Sequence, residues 1–243
     1  MVLFITSSPF IDGAERALLS PDNQLLSRLY AVLPPHPRVL FVASNGEDHG
    51  GTCRFGADTF CAFAEAGITF ATYTVLDNTT AEHTAELVQQ SDLIILAGGH
   101  VPTQLEFFYD IGLRELLEGY EGVVLGISAG SMNCADRVYV QPEEPGESAP
   151  DFPRFAPGLG LTDFNILPHY QKVKDNYLDG KRLYEDITFA DSMGNSFIVL
   201  PDGSYIYQDE EECTLLGAGY RMKNGIMEML TRNGETLDLT KLN

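Results

Sequence analysis

Five short apolar runs, each followed by a stretch with helical spacing, constrain this chain more than any other feature. The runs occupy residues 2–6, 38–43, 69–76, 92–97 and 123–126. Residues 24–33 put Leu25, Leu26, Leu29 and Leu33 on one helical face, and Pro34-Pro35-His36-Pro37 stops that helix. Residues 55–66 repeat the pattern with Phe60, Phe63 and Ala64, residues 80–90 form a helix that Thr80 can cap, and residues 104–117 form another. Continuous apolar strands alternating with helices predict an α/β chain. Its sheet is mostly parallel and flanked by helices on both faces. Ligands of such sheets bind outside the carboxyl ends of the strands. Three loops fall at that edge: residues 44–52, Gly98-Gly99, and the segment after residue 126.

That last segment reads Gly126-Ile127-Ser128-Ala129-Gly130 behind Val123-Val124-Leu125. It fits G-x-S-x-G, a sharp strand-to-helix turn that lifts a serine hydroxyl out of the sheet. Glycine has no Cβ, so the turn can be tight and the helix can start close to the strand. The first N–H groups of the helix lack intrahelical acceptors, which makes the Ala129 N–H an oxyanion donor candidate. A plain turn with a serine N-cap has the same residues, so the partners of Ser128 decide between the two.

Past Asn133 the pattern changes. Residues 138–157 are rich in proline and acids and read as a long loop over the site. Residues 161–167 suggest a short strand, ending on Pro168-His169, and residues 176–193 a helix. Residues 196–200, 204–208, 214–218 and 225–230 read as short antiparallel strands near the C-terminus, with turns at Pro201-Asp202-Gly203 and Lys223-Asn224-Gly225. No repeat, low-complexity tract or linker interrupts the chain, and one domain over residues 1–243 is expected.

A serine nucleophile needs a base within hydrogen-bond reach and a third group that orients the base. Of five histidines, His36 sits among prolines and His83 on a polar helix face, whereas His49, His100 and His169 fall at the ligand edge. His169, held by a preceding proline, is the candidate base. Gly99 closes a strand and offers a second oxyanion N–H. Glu143, Glu144, Glu147 and Asp151 all lie between Ser128 and His169, and only one of them can orient the histidine.

The formal net charge of −20 argues against a nucleic-acid partner, which would require clustered Lys and Arg. No run of 18 apolar residues suggests a membrane span, and the first residues lack a secretory leader pattern. Four cysteines without C-x-x-C spacing fit idle thiols in a reducing cytoplasm.

Gly98-Gly99 with Gln104-Leu105 downstream, the Gly126–Gly130 elbow and Pro168-His169 resemble, in order and spacing, the dipeptidase E and cyanophycinase family of serine peptidases. The resemblance spans roughly residues 1–219. It implies a fold like that of class I glutamine amidotransferases, with serine where those carry cysteine. It carries the nucleophile to Ser128, the base to His169 and the oxyanion donors to Gly99 and Ala129. The family's acid, some fifteen positions past the serine, lands on Glu143, a glutamate where dipeptidase E has aspartate. The expected activity is a cytoplasmic serine exopeptidase with no metal or cofactor. Its substrates would be short peptides, dipeptides with N-terminal aspartate foremost. The rival readings are a silent binding module, or an esterase or amidase on the same fold. An aspartyl side chain would need local cations, so Arg54 and Lys172, with His100, are the expected substrate contacts. Monomer and homodimer are both compatible with this reading.

Overall fold

The structure, a computed structural model, describes residues 1–242. The five predicted apolar runs form β1 (Val2–Thr6), β2 (Arg38–Val42), β3 (Thr72–Leu76), β4 (Leu93–Leu96) and β5 (Val123–Ile127). They lie parallel in the order β3-β2-β4-β5-β1. The sheet continues from β1 through three antiparallel strands, β12 (Tyr205–Gln208), β13 (Cys213–Leu216) and β16 (Thr236–Asp238), eight strands in all.

Side chains of the central strands alternate between two buried faces. On one face, Leu3, Ile5, Leu40, Ile94 and Val124 pack against helices α3 (Thr84–Gln90), α4 (Val101–Asp110) and α5 (Leu113–Leu117), which contribute Val88, Leu105 and Leu113. On the other, Phe4, Phe41, Ile95 and Leu125 pack against α1 (Leu25–Val32) and α2 (His49–Glu65) through Leu29 and Phe63. Because both faces are covered, the strands must be apolar at successive positions rather than alternating. No helix among the described residues is long and apolar enough to cross a membrane.

A second, four-stranded sheet consists of β8 (Asn165–Leu167), β11 (Ser196–Val199), β14 (Gly219–Lys223) and β15 (Ile226–Thr231), in the order β15-β14-β11-β8. The β8 and β11 strands are parallel, with Leu167 opposite Val199, so the chain leaves both at the same edge.

Several boundaries differ from those expected. The helix expected at 55–66 starts at His49, because Asp48 caps it by accepting the Gly51 N–H at 2.8 Å. The helix expected at 104–117 starts at Val101 and breaks at Gly112, which adopts φ 61. The loop expected at 138–157 contains a strand pair, β6 (Arg137–Tyr139) with β7 (Phe155–Pro157). The helix expected at 176–193 is instead a small hairpin, β9 (Tyr177–Leu178) with β10 (Lys181–Arg182), followed by a π-helical segment, Leu183–Thr188, and α8 (Phe189–Asp191). The cause is local. Asp179 and Gly180 both have positive φ, 51 and 79, as a two-residue Asp-Gly hairpin turn requires.

The strand β5 runs into α6 (Ala129–Met132), a short helix packed hard on the sheet. A Cβ on Gly126 would lie 2.7 Å from Ser131 Cα, and one on Gly130 2.4 Å from the Leu96 carbonyl oxygen. Backbone cannot give way as a flexible side chain can. Gly130→Ala should therefore lower unfolding stability by about 1–3 kcal/mol in chemical denaturation. A change within a few tenths would mean that the elbow relaxes without cost.

Candidate active site

The elbow places its strain on the serine itself. Ser128 has φ 52 and ψ −112, a conformation that non-glycine residues rarely adopt. Its N–H is shared by the carbonyls of Thr6 and Ser7 at 3.2 and 3.1 Å, which ties the elbow to the end of β1. The helix that follows closes on it, with Met132 N–H donating to Ser128 O at 3.0 Å. The two elbow glycines have ordinary negative φ, so their contribution is close approach.

The loop after β4 is brought alongside. A Cβ at Gly98 would stand 3.4 Å from Ser128 Cβ, and one at Gly99 would overlap Ser44 at 2.5 Å. A buried amide pair holds this loop to α6. Gln104 Nε2 donates to the Ala97 carbonyl at 2.8 Å, and Asn133 Nδ2 donates to Gln104 Oε1 at 3.0 Å. Gln104 and Asn133 are both wholly buried, where an unpaired amide would be costly. Gly98, Gly99, Ser128 and Ala129 thus line one cleft of about 460 Å³.

His169 enters that cleft from the second sheet. It follows β8, takes φ 58, and begins α7 (Tyr170–Val173). Its Nε2 lies 2.8 Å from Ser128 Oγ. Its Nδ1 lies 2.6 Å from Asp202 Oδ1. Asp202 reaches it because β8 and β11 are parallel and leave the sheet together, Leu200 N–H donating to Leu167 O at 2.8 Å.

The carboxylate on His169 is therefore Asp202, where the spacing argument expected Glu143. Glu143 lines the same cleft but is exposed and makes no hydrogen bond to the imidazole. The reason is topological. Residues 138–157 reach the cleft mouth, whereas the back of the imidazole faces the Pro201-Asp202-Gly203 turn. Ser7 completes the arrangement: its Oγ donates to Asp202 Oδ1 at 2.8 Å and accepts the His169 N–H at 2.8 Å. Ser7 is fully buried, and one hydroxyl thereby fixes both partners.

The Asp202 side chain is 2% exposed. Burial alone would raise its carboxyl. The hydrogen bonds from His169 and Ser7, the adjacent Lys172 ammonium and the charge of His169 when protonated outweigh burial and hold it well below the usual carboxylate range. Lys172 Nζ stands 2.7 Å from Asp202 Oδ2, an ion pair rather than an aligned hydrogen bond, and 2.8 Å from Asp12. An ionised Asp202 can only accept, so Nδ1 carries the imidazole proton and Nε2 presents its lone pair to Ser128.

The three expected substrate contacts lie elsewhere. Lys172 sits behind the imidazole and is occupied by Asp202 and Asp12. Arg54 is exposed on α2 and does not line the cleft. His100 bonds Thr103 Oγ1 at 2.8 Å through Nδ1 and Glu147 Oε1 at 2.9 Å through Nε2. The other oxygen of Glu147 accepts the N–H groups of Glu143 and Glu144 at 2.8 and 2.9 Å. His100, Glu144 and Glu147 could bring three metal-ligand atoms within 4.8 Å of one another. With both oxygens of Glu147 engaged, this grouping serves as a clip on the loop.

No curated protein matches the chain. A crystal structure from Listeria monocytogenes EGD-e, described as a "Putative Peptidase E Protein", shares its fold with a TM-score of 0.59. The two are 16% identical, and the match covers 95% of this chain and 98% of that one. The sequence model of peptidase family S51 matches residues 5–216, from β1 through the elbow, His169 and Asp202 to the end of β13. By that match over most of its length, the chain belongs to peptidase family S51.

Proposed function

We propose that this family member is a serine-type peptidase acting on short peptides. The single observation that carries the reading is the continuous relay Ser128 Oγ to His169 Nε2 at 2.8 Å and His169 Nδ1 to Asp202 Oδ1 at 2.6 Å. In this reading Ser128 attacks the scissile carbonyl as His169 takes its proton. The tetrahedral oxyanion lies against the N–H groups of Gly99 and Ala129, each contributing roughly 3–4 kcal/mol to the transition state. His169 then returns the proton to the leaving amine. A water activated by the same imidazole releases the acyl group from Ser128. Asp202 holds the tautomer and stabilises the imidazolium through both proton transfers. A cleft of about 460 Å³ accommodates a few residues of peptide.

The test is a turnover panel of dipeptides and tripeptides alongside simple aryl esters and primary amides. Peptide hydrolysis with kcat/KM well above that for unactivated amides supports the reading. Esters alone being turned over would make the protein an esterase, and no turnover at all would leave a binding module.

A further inference from the structure

The cleft that holds Ser128 is lined by Phe10, Phe55, Val101, Met132, Leu178 and Leu183, and among the described lining residues there is neither lysine nor arginine. Glu143 is the one carboxylate among the described lining residues. Glu143 is held in place from behind, since Glu147 accepts its backbone N–H at 2.8 Å and is itself fixed by His100 at 2.9 Å. The loop thus presents one carboxylate to a pocket whose other walls combine this apolar side with Ser8, Gln141, Asn176 and Tyr177.

We propose that the cleft selects short peptides through a free α-ammonium group paired with the Glu143 carboxylate and through an apolar first side chain. The proposal builds on the reading of Ser128 as a hydrolytic nucleophile and names the substrate that nucleophile meets. Charge argues the same way. An acidic first residue would meet the Glu143 carboxylate in a cleft lined by neither lysine nor arginine, on a protein of formal net charge −20. An ammonium finds a partner there, and an apolar side chain finds surface to bury. Glu143 is then a specificity residue at the cleft mouth, and the His100–Glu147 clip positions it.

Affinity should also depend on pH in a stated direction. The groups facing Glu143 are His100, Glu147, Glu144 and His169. Its side chain is exposed at the cleft mouth, but partial desolvation by the wall beside it, with the charges of Glu147 and Glu144, still pushes its carboxyl up against the opposing pull of the two histidines. Protonation removes the anchor, so binding weakens as pH falls. The loss begins at a higher pH than for an ordinary carboxylate.

The experiment is calorimetric titration of Ser128→Ala protein, which reads binding without hydrolysis, using Leu-Ala, N-acetyl-Leu-Ala and Asp-Ala. Leu-Ala should bind at least tenfold more tightly than either of the others. Adding Glu143→Gln should reduce Leu-Ala to the level of its acetylated form and leave the latter unchanged. Adding Glu143→Lys should invert the order, placing Asp-Ala above Leu-Ala. Thermal melts of all variants should coincide, as befits an exposed side chain, and the comparison of three peptides stands even if a second variant folds poorly. Asp-Ala binding as tightly as Leu-Ala, indifference to acetylation, or no binding of any peptide would overturn the proposal. None of these outcomes touches the hydrolase reading, which rests on turnover and labelling of the wild-type protein.

Discussion

Ser128→Ala should lower kcat for any peptide substrate by about 10⁴-fold or more, with little change in stability. The elbow is held by backbone contacts, with Ser128 N–H shared by Thr6 and Ser7 and glycines at 126 and 130 permitting close approach, and alanine preserves all of these. Only the hydroxyl disappears. His169→Ala should cost about as much, and the double variant little more than either single one, because nucleophile and base act as a unit. Additive losses would mean that His169 contributes outside the Ser128 relay. Turnover near the wild-type level in Ser128→Ala would remove the serine from the chemistry altogether.

The second large effect is expected at Asp202. Asp202→Asn should reduce kcat by about 10³–10⁴-fold. The amide can present a donor to His169 Nδ1, which favours the tautomer with its proton on Nε2. That proton faces Ser128 Oγ, so the imidazole can no longer accept from it. Glu143→Gln, by contrast, should change kcat by less than about tenfold and act mainly on KM, since Glu143 lines the cleft without bonding the imidazole. If the two substitutions exchanged these effects, Glu143 would be the orienting acid and the observed Asp202 contact only structural. The low Asp202 carboxyl adds a pH statement. A group depressed in the folded state contributes stability that is present above its unfolded value and lost only as pH falls through the folded one. Asp202 therefore stays ionised through the ordinary acidic range, and loss of activity on mild acidification belongs to other groups.

Much of this arrangement was legible in the sequence. Near-continuous apolar runs announced the parallel strands, because burial on two faces leaves no polar period to read. The elbow was legible as a candidate because a serine between two glycines follows directly on such a strand, and its contact with His169 separates it from a plain capped turn. His169 was legible from its proline and its place after a strand. Asp202 was not. Its residues, Pro201-Asp202-Gly203, are ordinary turn formers, and that turn sufficed as an explanation. What makes Asp202 a partner of His169 is the parallel pairing of β8 with β11, a contact between short segments that no local pattern encodes. Ser7 was hidden for the same reason: it matters only because β1 lies beside β5 and the end of β8 brings His169 onto the Ser7 hydroxyl. The misread helix at 176–193 is a different case. Asp179-Gly180 is a hairpin signal present in the sequence, and in the structure it turns the chain before Leu183.

The most direct measurement is covalent capture of the nucleophile. The wild-type protein is treated with a fluorophosphonate and the modified residue located by peptide mass spectrometry. The account predicts a single adduct on Ser128, abolished by Ser128→Ala and strongly slowed by His169→Ala. An unmodified Ser128 in folded protein, or an adduct carried by another residue, would contradict it.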